Sequence, residues 1–153
     1  MRLPLRLASL SCVLLALAGC GGGNRLSASE YREQAQEICT TATREAAVLA
    51  PPTDDADSVA EYGDAVAEIR ERETVALDEL EPPGEIEAGH RQLVDASGAI
   101  VRSLRDLARA AEREDRDAAA AAAATGDRAA DQARRAAEEL ELPSCGQPGQ
   151  APA

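Results

Sequence analysis

Between residues 86 and 111, Ile86, His90, Leu93, Ser97, Ile100, Leu104, Leu107 and Ala111 recur in alternating steps of four and three. That spacing holds one stripe on one side of an α-helix for seven turns, and no strand sustains it. A helix carrying such a heptad seam must lay it against other helices. Val94 and Val101 widen the stripe. The spacing therefore predicts an all-α protein with this segment at its centre.

Three further helices follow from the same reasoning. Ser27 and Glu30 form a capping box, with Leu26 placed to staple onto Tyr31. Tyr31, Ala35, Ile38, Ala42, Ala46 and Leu49 then share a face until Pro51-Pro52. After a polar turn over 53–57, with Asp57 as the expected cap, Val59, Tyr62, Val66, Ile69, Ala76 and Leu80 point inward. Glu73 interrupts that stripe, which can shift toward Leu77. Pro82-Pro83-Gly84 breaks the chain and presets the next N-terminus. Beyond a charged turn over 112–117, seven consecutive alanines from Ala118 to Ala124 open a fourth helix reaching about Leu142. Its seam is Ala119, Ala122, Gly126, Ala130, Ala133, Ala137 and Leu140. Gly126 either breaks this helix or lets a neighbour approach closely. Four helices of matched length with short connections predict an antiparallel four-helix bundle running up-down-up-down.

Composition alone points the other way. Leu, Ile, Val and Phe supply only 19 of the 134 residues from Cys20 onward, and the net charge of the chain is -12. Those values match chains that fail to fold. Sustained heptad register is what separates this sequence from that class, because a disordered chain has no reason to keep one. Alanine seams let helices pack closely with little side-chain volume.

All sixteen basic residues are Arg, against 28 acidic ones, and Phe and Trp are absent. A nucleic-acid binder needs a basic face and usually aromatic platforms, so nucleic acid is excluded as a partner. An aromatic-lined cofactor pocket is excluded on the same composition.

The N-terminus reads as an address. Arg2 and Arg6 precede an uncharged apolar run over 7–18, which is too short to span a bilayer. The run closes on Leu17-Ala18-Gly19-Cys20. This resembles the lipobox of bacterial lipoproteins at all four positions. The resemblance implies a signal peptide over 1–19, diacylglycerol on the Cys20 thiol, and cleavage before Cys20. Residues 20–26 then form a lipidated, flexible tether rich in Gly. Loss of Arg2 and Arg6 takes the net charge from -12 to -14. So acidic a surface is repelled by anionic headgroups, which leaves the lipid as the anchor. The expected location is the outer face of the cytoplasmic membrane. All-Arg usage with heavy Ala resembles proteins of high-GC bacteria. The lipobox, the Cys within the first helix, the Pro-Pro turn and the Leu142-x-x-Cys145-Gly146 end make the chain similar to small exported helical lipoproteins of actinobacteria. That resemblance carries no activity with it.

Cys12 leaves with the signal peptide and Cys20 is consumed by lipid. Cys39 and Cys145 remain, in an oxidising compartment. An intramolecular disulfide between them closes a loop of 106 residues; the alternatives are two buried thiols or links between chains. The domain layout is thus a bundle over 27–145 and a disordered tail over 146–153.

Catalytic patterns are sparse. Glu87-x-x-His90 has the spacing of a di-iron bundle motif, but His90 is the single His of the chain, so the second motif is missing. His90 is therefore expected as a half-buried seam or bundle-end residue. Glu30, Glu33 and Glu37, Glu71 and Glu73, and the acidic group at Glu112, Glu114, Asp115 and Asp117 are interleaved with Arg, as on a solvated helix face. The last group lacks EF-hand spacing. No phosphate loop, nucleophile elbow or zinc motif occurs. The chain is read as a non-enzyme with no cofactor or metal, serving an interaction or envelope-structural role, with an envelope protein as possible partner. The alternative is a ligand- or metal-binding sensor or scavenger with a polar cavity around His90 and Glu73.

Overall fold

The computed structural model describes residues 25–146. The expected signal peptide, the expected lipidation site Cys20, most of the expected tether and residues 147–153 lie outside them. Four helices follow in order: α1 (Ala28–Ala47), α2 (Ala56–Asp78), α3 (Glu87–Glu112) and α4 (Arg116–Glu139). The start of α1 meets the end of α2, the start of α3 and the end of α4. The Leu26 N–H donates to the Glu81 carbonyl at 2.9 Å, and the Arg32 Nε donates to the Leu140 carbonyl at 3.1 Å. The fold is an antiparallel four-helix bundle running up-down-up-down.

Caps set the helix ends. Ser27 and Glu30 form the expected capping box. The Ser27 hydroxyl and N–H both donate to the Glu30 carboxylate, which holds its pKa below the ordinary range. Asp55, rather than Asp57, caps α2, its Oδ2 accepting from the Ser58 N–H at 3.0 Å. Asp57 instead sits in the first turn, where its charge favours the helix dipole. Asp115 likewise caps α4, so that helix begins two residues before the alanine run. α3 and α4 both end in Schellman motifs. Asp115 N–H donates to the Ala110 carbonyl after Glu114, and Leu142 N–H donates to the Ala137 carbonyl after Glu141. Glu114 and Glu141 take the left-handed conformation there, with φ of 53° and 61°.

α1 stops at Ala47, four residues before Pro51 and earlier than its apolar stripe suggests. The residue before a proline is pushed out of the helical region, and the chain unwinds ahead of it. With 20 residues against 26 in α3, α1 is about 30 Å long and its neighbour about 39 Å.

α2, α3 and α4 pack through small residues. A Cβ at Gly63 would sit 3.4 Å from the Ala108 Cβ. One at Gly126 would lie 2.5 Å from the Ser103 Oγ, which donates to the Ala122 carbonyl. The fourth helix is continuous through Gly126, which is the close-approach residue of its seam. α1 stands apart: among the described residues none of its Cα atoms comes within 8 Å of one in α3 or α4. The gap toward α4 is filled by a strap, residues 140–146, which turns back from α4 and climbs alongside α1. Cys145 is disulfide-bonded to Cys39, S–S 2.08 Å and Cα–Cα 4.9 Å. A Cβ at Gly146 would come within 2.7 Å of the Arg134 Cα, so only glycine lets the strap lie this close to α4.

The core occupies the strap end of the bundle. Tyr31, Ala35, Cys39, Leu77, Leu93, Ala96, Ala133, Ala136, Ala137, Leu140, Leu142 and Cys145 form one buried cluster, with Leu26, Ile38, Leu80, Ile86, Val94 and Ile100 packed around it. The heptad seam of α3 is most deeply buried here, at His90 and Leu93, and Ile100 marks its upper edge. Farther up, Ser97, Ile100, Leu104 and Leu107 are half-buried, while smaller residues beside them, Val101, Ser103 and Ala108, make the contacts to α2 and α4.

Candidate functional site

The upper half of the bundle holds an interhelical cleft of about 660 Å³. It exists because α1 is short and the strap keeps it off α4. Leu49, Tyr62, Val66, Ile100, Leu104 and Leu107 supply its large apolar surface, and alanines from α1 and α4 supply the rest. The large ones are seam residues left half-buried, with Ile100 reaching the core below. Its exposed lining residues are Ala47, Ala123 and Asp127, which puts the mouth between the end of α1 and the first half of α4. Cys145 and Gly146 of the strap close the lower end.

The polar groups of the cleft are few. Arg70 and Glu73 form an ion pair at 2.7 Å with both side chains largely buried. Burial pushes the Glu73 carboxyl above the ordinary range, against the pull of the Arg70 charge and hydrogen bond. The Thr43 Oγ1 is buried at the α1 wall with no hydrogen-bond partner among the described residues.

His90 is not part of this cleft. It lies in the closed core, where its Nδ1 and the Tyr31 hydroxyl are 3.1 Å apart and the two rings meet edge-on, centroids 5.6 Å apart. Burial holds the imidazole below its ordinary pKa, opposed by Asp78 and Glu87 and assisted by Arg91. Burial also raises the Tyr31 phenol to about 12. Glu87 points elsewhere, bonding Arg25 at 3.1 Å and Arg91 at 3.5 Å. The Glu-x-x-His spacing thus does not become a shared site. The polar cavity expected around His90 and Glu73 is corrected to an apolar cleft that takes in Glu73 alone, because α3 turns His90 into the strap-end core.

The acidic clusters disperse into separate tasks. Glu71 pairs with Arg105 at 2.6 Å, Glu30 and Asp115 cap helices, and Glu73 meets Arg70. Among the described residues no group of three His, Cys, Asp or Glu side chains gathers as a metal site. Nor is any described helix long and apolar enough to cross a membrane. Sequence reasoning missed Arg70 and the strap as a wall. The i, i+3 spacing of Arg70 and Glu73 was a usable signal, because a carboxylate placed on an apolar stripe needs a nearby cation.

No protein-family model, curated protein or solved structure matches this chain.

Proposed function

We propose that this chain is a lipid-anchored extracytoplasmic protein, held on the outer face of the cytoplasmic membrane through Cys20, and that its bundle has a non-enzymatic role as a binding module. The observation that carries the binding half is the cleft. A chain with so few large apolar residues leaves four of them, Leu49, Val66, Leu104 and Leu107, half-buried along the cleft, beside Ile100 at the edge of the core. Its volume falls within the range of small-molecule sites, and its few polar groups lie among apolar walls. The anchoring half rests on Leu17-Ala18-Gly19-Cys20 behind a charged segment and an apolar run.

Two measurements test the reading. Mass spectrometry of the membrane fraction is expected to find an acylated N-terminal Cys20 peptide; an unmodified N-terminus in the medium contradicts it. Titration of the chain with the neutral apolar dye Nile red is expected to give one saturable site. Ala130→Phe, which fills the cleft, is expected to weaken it. Absence of saturable dye binding contradicts the binding role.

A further inference from the structure

We infer that the cleft takes a single-chain aliphatic amphiphile whose head carries an ammonium group, with the chain laid along the bundle axis and the head at the mouth. This rests on the binding reading above and names its ligand class.

The walls decide the body of the ligand. Leu49, Val66, Ile100, Leu104 and Leu107 are branched aliphatics, and Tyr62 is the one ring in the lining. A planar aromatic body such as Nile red can bind through its apolar area but finds a single stacking partner, so it yields to an alkyl chain, which finds aliphatic contact throughout. The lining runs from Ser97 to Leu107 on α3 and from Ala123 to Ala133 on α4. Ten residues of helix make each wall about 15 Å long. A trough of that length between helices suits an extended chain.

Charge decides the head. The exposed lining residue with a charge is the Asp127 carboxylate. The cation in the lining, Arg70, lies deep and faces Glu73. The whole chain carries -12. An anionic head would thus meet a carboxylate at the mouth within an acidic field, and a cationic or zwitterionic ammonium head would meet attraction. The deep Arg70–Glu73 pair is neutral as a unit and does not call for a charged tail.

The test is displacement of Nile red from the chain by dodecylphosphocholine, dodecyltrimethylammonium and dodecanoate, each below its micelle-forming concentration. The two ammonium compounds are expected to bind with one-to-one stoichiometry and dodecanoate more weakly. Asp127→Asn, on the exposed face of α4, is expected to close about two- to fivefold of that gap. Shortening the chain is expected to cost about fourfold per methylene. The choline and ammonium arms separate a phospholipid-like source from a simple amine. Dye binding without displacement by any alkyl compound would overturn the ligand class and leave the binding role standing. Dodecanoate binding as well as the ammonium compounds would overturn the head-group assignment. Alkyl binding that appears only after deletion of residues 147–153 would assign the cleft to the chain's own C-terminus and overturn the proposal. If Ala130→Phe fails to fold by circular dichroism, the Asp127→Asn and chain-length arms still decide.

Discussion

Cys145 is bonded to Cys39 three turns into α1, not at its end. A fourth helix that ended level with the first would leave Cys145 about 18 Å short of that point. Two adjustments resolve the distance. α4 stops at Glu139, and the strap turns at Glu141 and climbs between α1 and α4 to reach Cys39. The Gln36 amide donates to the Ser144 hydroxyl along the way, and Arg32 pairs with Glu141 at 2.9 Å. The same wedge holds α1 away from α4 and so opens the cleft.

Loss of the bond is expected to be costly. In the chain-entropy picture a loop of this length is worth about 4–5 kcal/mol. Cys145→Ser, or reduction, is expected to lower Tm by more than about 10 °C in thermal melts while leaving membrane attachment unchanged. An unaltered Tm contradicts the strap's role in holding α1.

Acidification is expected to destabilise the fold through His90. Its folded pKa lies below the ordinary 6.5, so the unfolded chain takes up the proton first. The stability His90 contributes is complete above about 6.5 and is lost as pH falls through that value toward the lower folded pKa. Glu73 works in the opposite sense: its raised folded pKa lets the native form take up the proton first, so its contribution grows as pH falls through that folded value toward 4.5. Melts of the parent chain and of His90→Gln between pH 7 and 5.5 separate the two. The variant is expected to lose less Tm than the parent over that range, and a parent and variant of identical pH dependence would contradict the His90 contribution. Tyr31→Phe is expected to cost about 1–3 kcal/mol, by leaving the buried Nδ1 without the phenol.

Gly126 and Ser103 are expected to be coupled. In the parent chain Gly126→Ala forces the Ser103 hydroxyl off the Ala122 carbonyl, and it is expected to lower stability. In a Ser103→Ala background the obstructing oxygen is gone. The same Gly126→Ala is then expected to raise stability by up to about 1 kcal/mol, the helix preference of Ala over Gly. Denaturant midpoints of the four chains check the reversal of sign.

Glu114 holds a left-handed conformation at an exposed helix end. Glu114→Gly is expected to raise stability by about 1 kcal/mol, measurable as a higher urea midpoint with an unchanged slope.

The sequence made the helices legible because their signals are local. The capping box at Ser27 and Glu30, the Pro82-Pro83-Gly84 break and the α3 seam each lie within one segment, and the four-helix architecture follows from them. The cleft was not legible, because it arises from a mismatch between segments. α1 ends four residues before Pro51, and the strap occupies the space that a bundle of equal helices would close. Leu104 and Leu107 therefore looked like core and instead line the cleft, with Ile100 at the boundary. Glu73 was visible as an interruption of the α2 stripe, but its partner Arg70 lay off the stripe.

The binding role requires the upper α3 seam to be open to solvent. Methyl NMR of the chain with a small neutral nitroxide added to the solvent reads this directly. The methyl groups of Ile100, Leu104 and Leu107 are expected to broaden strongly, while those of Leu77 and Leu93, fully buried in the strap-end core, stay sharp. Equal protection of all five would mean that the bundle is closed along its length, which would contradict the cleft and the binding role built on it.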